Sequence, residues 1–253
     1  RTSHEYHKVE VMDMEDIRPL VDEADIKNFR DRALSPERPV TRGTAENPET
    51  FFTHREASNS HYDAIPDVVE HYLGEISKIT GREYHCFSYY GAEDAENIII
   101  LMGSATEAAR EAIDHLTSEG KKVGMISVHL YRPFSVKHLF AAVPKTVKKI
   151  AVLDRTKEPG AEGEPLYLDV KSAFYDQENR PVIVGGRYGL GSSDITPAKI
   201  ISVYNNLELP EPKNHFTVGI IDDVTFTSLP AVEEMALGGK SIYEAKFFGL
   251  GAD

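Results

Sequence analysis

The sequence predicts an α/β fold: an open, mostly parallel sheet with helices on both faces, preceded by an irregular and helical N-terminal segment. Two observations carry this. From Asn97 onward, short Val- and Ile-rich runs recur at strand length, and stretches of helical periodicity alternate with them. These runs are continuous rather than alternating, as expected of strands buried on both faces of a parallel sheet. The 253 residues suffice for one large domain or two small ones, and 41% hydrophobic with 27% charged residues can build a core.

Each element has its own reason. Lys8–Met12 alternates polar and apolar residues as a strand does, and Asp13 or Asp16 is placed to cap a following helix. Asp25–Leu34 carries Ile26, Phe29 and Leu34 at roughly helical spacing. Three prolines and several turn formers between residues 35 and 49 argue for extended chain with turns. A loop of that length is functional or packed on a neighbour. Over Pro66–Thr80, Val68, Val69, Tyr72, Leu73, Ile76 and Ile79 keep helical periodicity, and Gly81 stands where a C-terminal cap belongs.

The clearer half begins after Gly91. Asn97–Met102 reads as a buried strand, and Ser104 with Glu107 has capping-box spacing for a helix running to Gly120. Lys122–Leu130, Lys149–Leu153, Pro181–Gly185 and His215–Ile220 read as further strands. Ser135–Ala142, Leu166–Tyr175 and Pro197–Asn206 read as helices, the last with Pro197 in its first turn. Boundaries drawn near residues 90 and 230 divide the chain into 1–90, 91–230 and 231–253. There is no internal repeat or low-complexity tract.

Composition excludes several classes. A formal net charge of −13 repels phosphate backbones and anionic lipid, so neither nucleic acid nor a membrane is an expected partner. Apolar runs such as Ile98–Met102 are far too short to span a bilayer. One cysteine, Cys86, leaves no internal disulfide and no Cys-rich metal site from this chain, which suits a reducing cytoplasm. The opening Arg1-Thr2-Ser3-His4 shows no signal-peptide pattern, and with the glycine-rich close it reads as a piece of a longer protein.

Motifs narrow the chemistry further. No G-x-S-x-G elbow occurs, and neighbouring His85 and Cys86 on a strand face opposite ways, so Cys86 reads as a structural thiol. His4-Glu5-Tyr6-His7 lacks the spacing of a zinc motif, and His54, His61 and His71 are irregularly spaced. Gly186-Arg187-Tyr188-Gly189-Leu190-Gly191 follows a strand and has two readings. It is an anion cradle with Arg187 as its charge, or a tight turn before a helix capped by Ser193, Asp194 or Thr196. Asp154-Arg155-Thr156-Lys157-Glu158-Pro159-Gly160 sits at the carboxyl end of a strand, where α/β sheets bind ligands. Arg155 and Lys157 are candidates for holding a phosphate or carboxylate; pairing of Arg155 with Glu158 or with a neighbouring domain is the alternative.

The residues also carry a family likeness. The segment from Ala151 to Asp169 resembles a signature of pyruvate:ferredoxin (flavodoxin) oxidoreductase, as do Arg1–Glu5, Arg38–Thr44, Gly185–Gly191 and Phe247–Asp253. The resemblance implies that 1–90 is the tail of the first domain and 91–230 the second, similar to the C-terminal domain of transketolase. Residues 231–253 would then lead into the third. It implies for the parent enzyme thiamine diphosphate with Mg²⁺, 4Fe–4S clusters, coenzyme A as substrate, a homodimer, and ferredoxin or flavodoxin as acceptor. No Gly-Asp-Gly occurs here and the cluster cysteines are absent, so the chain alone is expected to bind no cofactor and to be inactive. Gly249 and Gly251 open the stretch that the resemblance connects with coenzyme A. The competing readings are a non-catalytic interaction module and the C-terminal part of another thiamine-dependent or transketolase-type enzyme. The Asp154–Gly160 run argues against the last.

Overall fold

The computed structural model of the protein describes residues 11–233. In chain order the helices are α1 (Met14–Ile17), α2 (Glu23–Asp31), α3 (Pro48–Ala57), α4 (Asn59–Thr80), α5 (Ala105–Ser118), α6 (Val136–Ala142), α7 (Pro165–Ala173) and α8 (Pro197–Glu208). The strands are β1 (Phe87–Gly91), β2 (Asn97–Leu101), β3 (Val123–Val128), β4 (Lys149–Asp154), β5 (Val182–Arg187) and β6 (Phe216–Thr217). They fall into two compact units. One holds the chain up to Ser88 together with Val128–Val143; the other holds Tyr89–Ser127 and the chain from Pro144.

The first unit is helical. Asp22 caps α2 by accepting from Ala24 N at 2.7 Å. The extended stretch expected over 35–49 ends two residues early, because Asn47 accepts from Thr50 N at 3.0 Å and Pro48 opens α3. Asn47-Pro48-Glu49 is a helix start: a cap, a residue with no amide hydrogen to satisfy, and an acid in the first turn. Helix α4 begins at Asn59, seven residues before the Pro66 that the periodicity marked as its start; Pro66 lies buried inside it. Gly81 closes α4 in the left-handed conformation, φ +70°. Of the expected strand Lys8–Met12, Val11 and Met12 are irregular and residues 8–10 lie outside the described residues.

The second unit is built on the sheet, ordered β1-β3-β2-β4-β5-β6. β2 pairs in parallel with β3 and β4, β4 with β5, and β5 with β6. Ala92 N donates to Val123 O at one end of β1 and His129 N to Cys86 O at the other, so this edge strand runs antiparallel. Every expected strand and helix after Asn97 is present. His215–Ile220 is ordered as a strand only over Phe216–Thr217.

Alternation along the strands sorts the core. Ile99, Leu101, Met125, Leu153 and Val184 pack with α5 and α8 through Ile113, Leu116, Val203 and Leu207. The equally buried Ile98, Ile100, Ile150 and Val152 point to the opposite face, the side where α7 lies. Buried Tyr204 on α8 reaches through to donate to Gly124 O at 2.8 Å. The capping box expected at Ser104 and Glu107 does not form. Ser104 already has helical backbone angles (φ −62°, ψ −19°), whereas a capping residue needs an extended backbone to bring its hydroxyl to the free amides.

Candidate functional site

The strand order reverses between β2 and β4, since the chain leaves β2 for β3 on one side and returns to β4 on the other. In open α/β sheets the crevice at the carboxyl ends of such a pair is where ligands bind. Here Tyr188 occupies it. Its amide donates to Asp154 O at 3.2 Å, at the end of β4, and its hydroxyl lies 3.5 Å from Met102 O, just past the end of β2. Tyr188 is 3% exposed and its ring belongs to the core.

Asp154, the last residue of β4, is also committed. It accepts from Leu166 N and Tyr167 N, each at 3.1 Å, on its two carboxylate oxygens. These are the second and third residues of α7; Pro165 has no amide hydrogen, and Glu164 in the capping position makes no side-chain cap bond. A strand-end aspartate thus does the work of a helix cap, satisfying buried amides at the positive end of the helix.

Burial pushes the Asp154 carboxyl above its ordinary range, against the downward pull of those two amides, and Glu164 and Asp169 add to the rise. The folded protein therefore keeps this proton to a higher pH than the unfolded chain does. The stability gained is complete below the unfolded value of about 3.9 and is lost as pH rises through the folded pKa. Wild type is expected to lose stability relative to Asp154→Asn as pH rises above about 4. Urea titrations at several pH values measure the difference, and a pH-independent one would contradict the assignment.

Three candidate cations stand at neighbouring strand ends. Arg155 turns to the Gly189 carbonyl, Nε to O 3.0 Å, rather than to Glu158. Arg187, the last residue of β5, donates to Glu164 Oε1 at 3.3 Å and to His215 O at 3.0 Å. Lys157 Nζ lies 3.9 Å from the same Glu164 oxygen. Glu164 is 2% exposed, so it forms the buried centre of the group. Lys157 and Arg187 also line a cavity of about 380 Å³ walled by Gly189, Leu190, Thr217 and Thr225.

Gly185 and Gly186 are not a phosphate loop. Both lie within β5, and each removes a Cβ where a ring presses on the strand: Tyr167 against Gly185 and Phe216 against Gly186. Of the capping candidates after the loop, Thr196 is the one used, accepting from Lys199 N at 3.4 Å. Gly249 and Gly251, like His4 and His7, lie outside the described residues. The sequence alone gives no role to Glu164 or Tyr188. A lone Glu before Pro165 and a Tyr between Arg187 and Gly189 carry no local signal of Arg187 as the partner of the one or Met102 as the partner of the other.

The Cys86 thiol is buried and directed at Pro66 O, 3.6 Å away. Burial first, then the carboxylate of Glu70, pushes its pKa up to about 12, so it does not fit a thiolate ligand of an iron–sulfur cluster. Among the described residues there is no group of three or more His, Cys, Asp or Glu side chains that could hold a metal ion. Among the described residues no helix is long and apolar enough to cross a membrane.

Residues 95–200 match the family model for pyruvate:ferredoxin oxidoreductase core domain II. Residues 1–73 match the model for the thiamine diphosphate-binding region of pyruvate flavodoxin/ferredoxin oxidoreductase. The chain is 56% identical over its full length to pyruvate-flavodoxin oxidoreductase of Enterobacter agglomerans, and 49% identical to pyruvate:ferredoxin oxidoreductase of Moorella thermoacetica. It spans 22% of the length of each. A solved 2-oxoglutarate:ferredoxin oxidoreductase from Magnetococcus marinus is a distant likeness, with TM-score 0.36 and 24% identity over 52% of this chain and 21% of that one. With both models falling in order along one chain and the identity running from end to end, the chain belongs to the pyruvate:ferredoxin (flavodoxin) oxidoreductase family.

Proposed function

We propose that this chain serves an enzyme converting pyruvate, coenzyme A and oxidised acceptor to acetyl-CoA, carbon dioxide and reduced acceptor, and that its α/β unit contributes structure and domain docking rather than catalysis. The observation that carries this is the crevice between β2 and β4. It is filled by Tyr188, while the acid beside it, Asp154, is spent on the start of α7. A ligand would have to displace a buried ring and leave two helix amides without an acceptor.

In this reading residues 1–90 are the tail of a first domain, 91–230 a second, and 231–253 the connection to a third. Their partners are other domains of the same polypeptide. The whole enzyme would be a cytoplasmic homodimer using thiamine diphosphate, Mg²⁺ and 4Fe–4S clusters held elsewhere, and passing electrons to ferredoxin or flavodoxin. The names of the relatives support flavodoxin or ferredoxin as acceptor.

A second reading is favoured by the cavity beside Lys157 and Arg187. These cations, with Arg155, would contact an anion such as a coenzyme A phosphate. One pair of measurements separates the readings. A full-length protein carrying this sequence is expected to form acetyl-CoA from pyruvate. The 253-residue chain is expected to form none and to give no heat with coenzyme A in titration calorimetry. Absence of turnover by the full-length protein would overturn the enzyme assignment. Coenzyme A binding by the chain at about micromolar Kd would replace docking with the ligand reading.

A further inference from the structure

We propose that the cavity at the carboxyl ends of β5 and β6, with its rim, is the seat of another domain of the same polypeptide, which inserts an apolar side chain flanked by a carboxylate. This rests on the docking role proposed above and names its surface and its complement.

The rim is apolar to a degree that water does not favour. After β6 the chain turns back over residues 218–227, leaving Ile221 fully exposed, Val224 80% exposed and Phe226 84% exposed. Ile220 and Leu190, both about half exposed, carry the same surface into the cavity wall. Large apolar side chains grouped this way mark an interaction site. The turn is also held in shape. Asp223 accepts from Thr225 N and Ser228 N, and Lys213 Nζ donates to Phe226 O and Ser228 O. Phe226 is kept at φ +56°, a backbone conformation unfavourable for a bulky residue, so its outward ring is imposed by the turn.

Charge supplies the second half of the complement. Lys157 and Arg187 line the cavity, and no carboxylate is among its described lining residues. Behind them the single buried Glu164 is shared between the two cations, Arg187 at 3.3 Å and Lys157 at 3.9 Å. One negative charge against two positive leaves the half-exposed Lys157 as the place for an incoming carboxylate. The occupant is a domain of the same polypeptide because the relatives are more than four times the length of this chain, which spans 22% of them. Most of such a protein therefore has to pack somewhere around this unit.

Hydrogen exchange followed by mass spectrometry tests this on a full-length protein carrying this sequence and on the 253-residue chain. Amides of residues 217–227 are expected to exchange about tenfold or more slowly in the full-length protein. Lys157→Glu in the full-length protein is expected to return much of that exchange, and Lys157→Arg to leave it slow. Equal exchange in the two proteins overturns the inference. So does protection that appears only on adding coenzyme A, which would assign the cavity to a small anion. Protection of the 253-residue chain that grows with its concentration would assign the surface to a second copy. Pyruvate turnover by the same full-length sample separates this outcome from the enzyme reading: turnover with unprotected 217–227 amides removes the docking surface alone.

Discussion

Glu164→Gln is expected to destabilise the α/β unit by about 3 kcal/mol, the scale seen when one partner of a buried ion pair is removed. The loss does not come from the pair's attraction alone. Glu164 is 2% exposed and the Arg187 side chain 13% exposed, so an uncharged residue at 164 leaves a guanidinium in a poorly solvated place. The geometry gives the discriminating control. Arg187→Met combined with Glu164→Gln removes both charges and should recover part of the loss, because no stranded ion remains. Lys157→Met should cost under about 1 kcal/mol, since that side chain is 46% exposed and screened by water. Urea denaturation of wild type and the three variants measures this. If Glu164→Gln stays within about 0.5 kcal/mol of wild type, the carboxylate is not the centre of the cluster.

Gly91→Ala should be as damaging, by about 3 kcal/mol or more, for a steric reason. Gly91 ends β1 with φ +131°, which side-chain-bearing residues rarely adopt. A Cβ there would press against Gly124 Cα and the Val123 carbonyl of β3. Both are backbone, so no rotamer change relieves the clash. Tyr89 tightens the same contact, since its ring lies over Gly124, where no Cβ intrudes, and its hydroxyl donates to Ala92 O. The measurement is the same denaturation series, and the expected result includes faster exchange of the Ala92 amide that pairs with Val123 O. A near-neutral Gly91→Ala would mean that β1 shifts freely against β3.

The sheet was legible residue by residue because burial on both faces leaves a local trace. Ile98-Ile99-Ile100-Leu101 is apolar throughout since its two sides meet α5 and α8 on one face and the α7 side on the other. Gly81 and Pro197 were legible for a different local reason, each satisfying a need of the backbone at its own position. Reading failed where a local rule competed with a contact from afar. Pro66 marked a helix start by its own chemistry, yet the helix runs through it from Asn59. Asn47-Pro48 was a genuine start hidden in a stretch judged by its proline content.

The candidate site follows the same division. The sequence by itself determined that Arg155, Lys157 and Arg187 stand at strand ends, because strand ends follow from the apolar runs that precede them. It also determined the family, through segments spread along nearly the whole chain. Only the tertiary structure decided what those charges do. Glu164 draws Lys157 and Arg187 to one buried point, Gly189 takes Arg155, Asp154 caps a helix that begins eleven residues later, and Tyr188 fills the crevice. The contacts of Arg155, Arg187 and Tyr188 join residues distant in the chain and are set by which strands lie side by side, whereas those of Asp154 and Lys157 close the connection between β4 and α7. Strand order is fixed by the packing of whole elements, and no local pattern encodes it.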